Sequence, residues 1–316
     1  MQLVSVVLCT YNGEKYLEKQ IQSIINQTYN KLEIIINDDC SSDNTMNILE
    51  KYQQIDSRIK VFRNVENLGF NKNFETAIKK CKGDIIALCD QDDIWELNKI
   101  ELQVEVLISQ NLSMVYSNSK LINDKDESLN KELFSQLRVL PIFGKNPLGF
   151  IFGNCVPGHT IIFDKVLIDK IIPIPEVVFF DRWISFVASM YNGINFLPNT
   201  LVSYRQHALN VTDALRVRKK KKSFQTRIDK KYNAYKIRLK ELEIFIKFIE
   251  QQNANIQIIN DIYLEYTKYE KKYFNLKLFY ILFKHRELIF AMKKNKITLC
   301  FKESTGFKFY KLFPFL

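Results

Sequence analysis

Residues 85–93 read Ile85-Ile-Ala-Leu-Cys-Asp-Gln-Asp-Asp93, an apolar run that passes directly into acidic residues. The apolar part has the length and composition of a buried β-strand. The same order occurs twice earlier in the chain, where Leu3–Cys9 precedes Thr10-Tyr-Asn12 and Leu32–Ile36 precedes Asn37-Asp-Asp39. We therefore predict a sheet whose polar side chains collect where the strands end.

Helical patterns separate these strands. The predicted helices cover residues 13–26, the stretch from Met46 to Tyr52, residues 74–81 and residues 97–109, with a further strand at Ile59–Phe62. Short strands that alternate with helices indicate an α/β fold with a mostly parallel, Rossmann-like central sheet flanked by helices. Ligands bind such sheets at the carboxyl ends of the strands, so the polar strand ends predict a binding site.

Beyond residue 113 the pattern is less regular. We predict short strands at Met114–Ser117, Thr160–Phe163 and Leu201–Tyr204, and one helix at Asp181–Tyr191. Residues 124–147 are predicted to form a long polar loop, and loops of that length are usually functional or mobile.

Composition and charge divide the chain in two. It has 316 residues, 47% of them hydrophobic, which suffices for a full core and excludes collagen-like and disordered chains. Residues 1–215 carry 21 basic and 26 acidic side chains, whereas residues 216–316 carry 25 basic and 9 acidic ones. We predict two domains, 1–215 and 216–316, the second being a basic, aromatic-rich helical region.

The cysteine content and the apolar stretches indicate the cellular compartment of the protein. Six cysteines without CxxC spacing and only three histidines argue against structural zinc and favour a reducing environment. The stretch Met1–Cys9 has no basic residue, so we do not expect it to be a signal peptide. The longest uncharged stretch, Trp183–Tyr204, is interrupted by turn residues and is predicted not to span a membrane. We expect a cytoplasmic protein.

Two heptad series occur in the basic region. Apolar side chains recur at intervals of three and four over residues 228–249 and again over 259–283, and Gln251–Asn255 separates the series. This pattern predicts an antiparallel helical hairpin. Three interpretations stay open: the helices pack only on each other, they form a homo-oligomer, or Leu276–Met292 and Phe307–Leu316 contact an anionic membrane surface.

Several acidic residues are candidates for chemistry. Asp90 and Asp92 alternate in an extended segment, so both carboxylates face the same way and suit a hard divalent cation. Exposed loops often show the same spacing without a cation. Asp39 and Asp181 each precede or open a predicted helix, where a carboxylate also serves as a cap. His207 is either a ligand or a structural histidine.

Five motifs follow one another in a familiar order. They are Val4–Gly13, Gln27-Thr-Tyr29, Glu33–Asp39, Asn67-Leu-Gly69 and Asp90–Trp95. In this order and spacing the chain resembles the family 2 inverting glycosyltransferases, which have the GT-A fold. Asp181–Ser185, Tyr204-Arg-Gln-His207 and Asn210-Val are similar to the rhamnosyltransferase-like branch of that family. The resemblance covers about residues 2–212.

The resemblance implies a nucleotide-binding set. By position it comprises Thr10, Tyr11, Asn12, Asp39, Asn67, Lys72 and Asp90. Tyr11 is expected to lie against the base, and Asp39 to contact the base or the ribose edge. Cys40 replaces the glycine that commonly follows the paired aspartates, which puts the geometry of this loop in doubt because glycine permits positive φ.

The resemblance also implies the reacting groups. Asp92, together with Asp90, is expected to hold Mn²⁺ or Mg²⁺, and Asp181 is expected to act as general base. His207 falls where some GT-A enzymes place a third metal or diphosphate contact. The loop with Gly158-His159 either borders the acceptor or is a plain turn.

Three functional hypotheses follow. The first is a metal-dependent inverting glycosyltransferase that moves a sugar from a UDP- or dTDP-sugar to a glycan or lipid-linked glycan acceptor. Such an enzyme would act in surface polysaccharide synthesis and lie peripherally at the inner face of the membrane. The second is a nucleotidyltransferase, but Thr10–Glu14 has one glycine and an acid where a basic, glycine-rich loop is needed. The third, a non-catalytic basic module that binds nucleic acid, leaves the acidic residues 1–215 unexplained, so we expect no nucleic-acid partner.

Overall fold

The computed structural model describes residues 1–207, 224–255 and 257–312, and it describes the side chains of these residues except 224–228, 311 and 312. The basic run 216–222, the motif at Asn210 and the predicted domain boundary after residue 215 lie outside the described residues.

The chain divides into two compact units, each of which combines separate stretches of sequence. The first unit consists of Met1–Asn146 and Cys155–Leu215, and the second of Pro147–Asn154 and Arg216–Leu316. A short segment from the middle of the chain therefore belongs to the same unit as the C-terminal helices.

The first unit contains a sheet and its flanking helices. The described strands are β1 (Val4–Thr10), β2 (Leu32–Asp38), β3 (Ile59–Arg63), β4 (Ile85–Cys89), β5 (Ile94–Trp95), β6 (Met114–Ile122), β7 (Ser128–Glu132), β8 (Ile162–Asp164) and β9 (Ile194–Arg205). The described helices are α1 (Leu17–Ile25), α2 (Thr45–Ile55), α3 (Phe70–Ile78), α4 (Lys99–Ser109), α5 (Leu133–Leu137), α6 (Ile168–Ile171) and α7 (Phe180–Met190), with 3-10 turns at Gly158–Thr160 and Lys165–Leu167.

The strands form one mixed sheet. Its order is β3-β2-β1-β4-β8-β6-β9-β5, with β7 paired to β6. β1 runs parallel to β2 and β4, and β2 runs parallel to β3. β8 is antiparallel to β4 and β6, and it links the N-terminal parallel strands to the parallel pair β6–β9. The predicted α/β fold, with a mostly parallel sheet flanked by helices, is confirmed.

Helices cover both faces of the central strands. Alternate side chains of β1 and β2, such as Val6 and Ile34, join a buried cluster with Ile21 of α1, Leu49 of α2 and Val104 of α4. The intervening side chains point to the opposite face, where α3 contacts β1 and β2. Strands buried on both faces have continuous apolar sequences, which is why the sequence pattern located β1, β2 and β4.

Two strands are longer than predicted. β6 continues to Ile122, and β9 begins at Ile194 and passes through Pro198-Asn199. The pairing register between β6 and β9 shifts between Ser117 and Ser119, so Pro198 and Asn199 have no partner in that ladder. Since proline cannot donate a ladder hydrogen bond, a bulge is where a strand tolerates it.

The predicted polar loop at residues 124–147 is partly wrong, because this stretch contains β7 and α5. Leu133 is buried against Leu121 and Tyr204, and Leu129 and Leu137 pack on the same small cluster. Leu129 lies on β7, whereas Leu133 and Leu137 lie on α5, so no single periodicity connects them in the sequence.

The second unit is helical in the described ranges. Its helices are α8 (Phe224–Gln251), α9 (Gln257–Tyr266), α10 (Leu276–Lys284), α11 (Arg286–Ile289), α12 (Lys296–Ser304) and α13 (Phe307–Leu312), with 3-10 turns at Pro147–Phe150 and Tyr269–Lys271. The Tyr263 hydroxyl donates to Glu243 and that of Tyr232 donates to Glu270, so α8 and the segment after residue 257 run antiparallel. α8 and α9 therefore form an antiparallel pair in the described ranges.

The second heptad series is divided between two helices. The helix α9 ends at Tyr266, and α10 begins only after Asn275. The buried Asn275 side chain accepts from the Leu278 N–H and donates to the Glu265 carbonyl, so it caps α10 and ties it to α9. Asn275 therefore marks the start of a separate helix.

The described part of Phe307–Leu316 also differs from the expectation of a membrane contact. Phe307 and Tyr310 are buried. The Phe307 ring lies 5.1 Å from that of Tyr232 and 6.3 Å from that of Tyr269, so it belongs to the interior of its unit. Among the described residues, no helix is both long enough and apolar enough to cross a bilayer.

Candidate active site

The loop after β1 is held by Asp38 at the end of β2. The buried Thr10 hydroxyl donates to one Asp38 oxygen at 2.9 Å, and the Ser41 backbone N–H donates to the other at 2.9 Å. The Asn12 side chain accepts from the Ser42 N–H at 2.9 Å. Asp38 therefore orders the loop, and Asn12, predicted to bind the nucleotide, links it to the turn after β2.

Gln91 joins the β1 loop to the acidic loop after β4. Its side-chain amide accepts from the Tyr11 N–H at 2.8 Å and donates to the Tyr11 carbonyl at 3.0 Å. A Cβ atom on Gly13 would lie 2.3 Å from the Gln91 oxygen, so a larger residue there would displace the Gln91 amide from this position. The Tyr11 ring remains exposed and accessible to a ligand, as its predicted place against a base requires.

Asp39 orders the segment that was predicted to line the nucleotide. Its carboxylate accepts from the backbone N–H groups of Leu68 and Gly69, each at 2.8 Å, and from the Asn64 amide at 2.7 Å. The Asn67 amide donates to the Asp39 carbonyl at 3.3 Å. The next residue, Cys40, has φ of 64°, so the loop keeps the conformation that favours glycine despite the substitution.

Lys72 lies in the first turn of α3. Its ammonium group is 3.0 Å from the buried Glu75 carboxylate, which also pairs with Lys79 and accepts from the Ile174 N–H. The structure therefore places Lys72 in an ion pair, and its predicted contact with the nucleotide stays a prediction.

Asp92 and His207 meet although 115 residues separate them. Asp92 Oδ2 lies 2.7 Å from His207 Nε2, and both side chains are partly exposed. The Asp92 carbonyl accepts from the guanidinium of Arg205, a fully buried side chain that also contacts Asp126 and lies over the Tyr16 ring. The two residues predicted as metal contacts are thus brought together, and Arg205 fixes the loop that carries one of them.

A second group was missed by the sequence analysis. The buried His159 ring has Nδ1 3.7 Å from Asp90 Oδ2 and 3.7 Å from Asp93 Oδ2, and its Nε2 lies 2.9 Å from the Ser119 hydroxyl. The ligand atoms of Asp90, Asp93 and His159 lie within 4.8 Å of one another, close enough to hold a metal ion. The signal for Asp93 was a third carboxylate in the acidic motif.

The electrostatics of this group fit a divalent cation. Asp93 is completely buried, and burial raises the pKa of its carboxyl group well above the usual value, with the charges of Asp92 and Asp90 adding to the effect. One Asp93 oxygen accepts from the Arg205 N–H, whereas Oδ2 has no hydrogen-bond partner. A buried oxygen without a donor, beside other carboxylates and an imidazole, is a donor set that suits Mn²⁺.

Asp181 lies in the first turn of α7 and faces the Gly158–Thr160 turn. A Cβ atom on Gly158 would lie 2.7 Å from the Phe180 ring and 3.6 Å from Asp181 Cβ, so the turn packs closely on the start of α7. Burial raises the pKa of Asp181 to about 7, and the negative charge of Asp90 contributes in the same direction. A carboxylate that titrates near neutrality suits a general base.

The mixed α/β sheet and the acidic loop at the carboxyl end of β4 define a protein of the GT-A class. Residues 5–171, more than half of the chain, match the model of the family described as glycosyl transferase family 2. The chain belongs to glycosyl transferase family 2. The recognition from sequence motifs is confirmed, and family membership favours glycosyl transfer over the nucleotidyltransferase and binding-module hypotheses.

Among curated proteins, the chain is similar to the Escherichia coli UDP-Glc:α-D-GlcNAc-diphosphoundecaprenol β-1,3-glucosyltransferase WfgD. The two are 38% identical over 122 residues, which are 39% of this chain and 47% of WfgD. The chain spans about half to two thirds of the length of the first curated relatives that it matches.

Solved structures show the same fold at low identity. TarS of S. aureus in complex with UDP-GlcNAc has a TM-score of 0.58 at 18% identity, over 91% of this chain and 81% of TarS. The Pyrobaculum calidifontis mannosyltransferase PcManGT, in complex with GDP-Man and Mn²⁺, has a TM-score of 0.52 at 18% identity, over 78% of this chain and 64% of that protein.

Proposed function

We propose that this chain transfers a sugar from a UDP- or dTDP-sugar to a hydroxyl group of a glycan or lipid-linked glycan, with inversion, in surface polysaccharide synthesis. One observation carries the proposal: the acidic loop after β4 meets two histidines and stands beside Asp181, whose pKa is about 7. The name of WfgD, which specifies a UDP-sugar and a lipid diphosphate acceptor, supports the donor and acceptor classes.

The nucleotide is bound by the loops at the carboxyl ends of β1, β2 and β4. Asp39 holds the Asn67–Gly69 segment in place, and Gln91 holds Tyr11, so both loops are ordered before a ligand arrives. The exposed Tyr11 ring offers a flat surface for the base. Pre-ordered loops lower the entropic cost of binding.

Asp92 and His207 hold a divalent cation in this proposal, with Asp90 and Asp93 close by. A nitrogen ligand beside carboxylates favours Mn²⁺ over Mg²⁺, which prefers oxygen ligands. The PcManGT complex contains Mn²⁺ with a nucleotide sugar, which supports the choice. When bound, such a cation stabilises the negative charge that develops on the diphosphate leaving group.

Asp181 removes the proton from the acceptor hydroxyl group as that oxygen attacks the sugar. Its pKa of about 7 lets it exist as the carboxylate at neutral pH and still bind a proton strongly enough to help. Attack from the side opposite the leaving group inverts the anomeric centre, which is the outcome that the family resemblance implies.

The proposal includes a peripheral position at the inner face of the membrane, because a lipid-linked acceptor is held there. The basic composition of residues 216–316 supports an anionic surface as partner. A homo-oligomer formed by the C-terminal helices is the alternative use of the same region.

Thermal unfolding with UDP, dTDP, GDP and CMP, each with and without Mn²⁺, tests the proposal. We expect one of the first two to raise the melting temperature only when Mn²⁺ is present, because a ligand that binds the folded state stabilises it. Asp92→Asn should abolish the shift, whereas Asp169→Asn, an exposed aspartate on α6, should preserve it. The absence of any nucleotide shift in the wild type would refute the proposal.

A further inference from the structure

The second heptad series separates into a buried half and an exposed half. Ile259, Ile262, Tyr266 and Tyr269 are buried within the second unit, as a helical hairpin requires. The later members, Tyr273, Leu276, Tyr280 and Phe283, are all exposed, and Leu276 leaves 75% of its surface in solvent. Apolar side chains with heptad spacing that stay exposed on their own unit form a surface for a partner.

α12 extends this surface. Its exposed side chains include Ile297 and Phe301, which lie one turn apart on the same face of the helix. The Phe279 ring lies 4.5 Å from that of Phe301 and 5.8 Å from that of Phe283, so aromatic contacts connect the two helices. We name the combined surface of Tyr273, Leu276, Tyr280, Phe283, Ile297 and Phe301 the α10–α12 face.

The charges around this face are positive. Residues 273–310 contain eight lysines and arginines and only two acidic residues. One of those acids, Glu287, is within reach of both Arg286 and Lys296, and the other, Glu303, accepts from the Tyr266 hydroxyl. Lys277 and Lys284 are exposed beside the apolar stripe of α10.

We propose that the α10–α12 face is the surface by which this protein lies on an anionic lipid bilayer. Apolar and aromatic side chains flanked by lysines are what a helix needs to rest in the headgroup region without crossing it. A second copy of the chain fits less well, since a symmetric contact would bring this positive surface against itself. The proposal extends the proposed function by assigning its membrane contact to particular residues.

Co-sedimentation with vesicles tests this assignment. The vesicles contain phosphatidylcholine alone or phosphatidylcholine mixed with phosphatidylglycerol. We compare Leu276→Ser/Tyr280→Ser with the matched control Ile237→Ser/Leu264→Ser, which removes exposed apolar side chains from α8 and α9. All lysines remain in both double variants, so the comparison isolates the α10–α12 face.

The wild type and the control should bind the phosphatidylglycerol vesicles, and the α10–α12 variant should bind at least about tenfold more weakly. Equal binding by the two double variants, or no binding by the wild type, would overturn the assignment. The assignment would also be overturned if light scattering showed that the wild type and the control are dimers and that the α10–α12 variant is a monomer. Nucleotide-induced thermal shifts, measured on the same samples, report separately on the proposed transferase function.

Discussion

Asp181 and Lys99 have pKa values near 7 because burial penalises their charged forms. Burial raises the pKa of Asp181 to about 7 and lowers that of Lys99 to about 7. Asp181 borders the candidate site, whereas Lys99 is fully buried, with its ammonium nitrogen 3.8 Å from the centre of the Trp95 ring and without a hydrogen bond. The same physical effect therefore produces a candidate base at one position and a stability cost at the other.

The pKa of Asp181 predicts the pH dependence of the transferase. Below about pH 7 the carboxyl group is protonated and cannot accept the proton of the acceptor, so kcat/KM should rise with pH and level off above it. Asp181→Asn should lower kcat by about 10²–10⁴-fold while nucleotide affinity stays unchanged. Asp169→Asn serves as control. If kcat/KM were the same below and above pH 7, or if Asp181→Asn kept the activity of the wild type, the assignment of the base would be contradicted.

Lys99→Met should stabilise the protein in acid and neutral solution. The folded-state pKa is about 7 and the ordinary value is 10.5, so between these values the unfolded chain binds a proton that the folded chain does not. The cost of the buried charge is complete below pH 7 and disappears as the pH rises toward 10.5. Urea unfolding should show a gain of about 5 kcal/mol at pH 6 and little gain at pH 10.

The exposed Lys170 on α6 offers the matched comparison, since Lys170→Met should change stability little at either pH. If Lys99→Met proves equally stabilising at both values, the cause is better packing and the pKa argument is wrong.

At the scale of elements, sequence patterns predicted those strands and acidic residues whose positions depend on neighbouring residues in the sequence. β1, β2 and β4 are continuous apolar runs, and Asp90, Asp92 and Asp181 follow a strand or open a helix, so their positions could be predicted. α3 begins four residues earlier than predicted because Asp39, far away in sequence, accepts from the Leu68 and Gly69 N–H groups. His159 enters the site from the 3-10 turn before β8, and Arg205 from the end of β9. No local pattern specifies how these two strands pair.

The contact of Gln91 with the β1 loop predicts a coupling between two substitutions. Gly13→Ala should destabilise the chain by about 1 kcal/mol, because its Cβ displaces the Gln91 amide from its hydrogen bonds to Tyr11. Gln91→Ala removes hydrogen bonds worth about 1 kcal/mol but also removes the obstacle. Urea unfolding of the double variant should therefore show a smaller loss than the sum of the single losses.

Gly153→Ala is the control, since a Cβ there meets only the flexible Met292 side chain at 3.4 Å or more. Strict additivity of Gly13→Ala and Gln91→Ala would show that the two loops are not joined through this amide.

At the scale of the whole molecule, the division into units does not follow the order of the sequence. Pro147–Asn154 is part of the helical unit, where the Arg238 guanidinium donates to the carbonyls of Ile151 and Phe152 at 2.9 Å and 3.2 Å. The Phe152 ring contacts those of Tyr266 and Phe290. The change of charge at residue 216 predicts a separate C-terminal region, but no compositional signal marks the short segment.

Arg238→Ala should release that segment. The loss of two charge-assisted hydrogen bonds should accelerate amide hydrogen exchange in residues 147–154, and Arg238→Lys should have an intermediate effect because lysine lacks the planar fork of donors. Arg286→Ala, which removes a donor to the Phe283 carbonyl in the same unit, should leave exchange in the segment unchanged. Equal exchange in wild type and Arg238→Ala would contradict this role of the arginine.

The location of residues 147–154 also constrains how a gene for this protein can be cut and recombined. A fragment that encodes only residues 1–215 carries Ile151 and Phe152 without the helices on which they pack. Because these apolar side chains would be exposed, we expect the fragment to aggregate and to express poorly. Replacing the C-terminal region by that of a relative would require exchanging two separate stretches of coding sequence together. The helical unit therefore cannot be exchanged as one contiguous stretch of coding sequence.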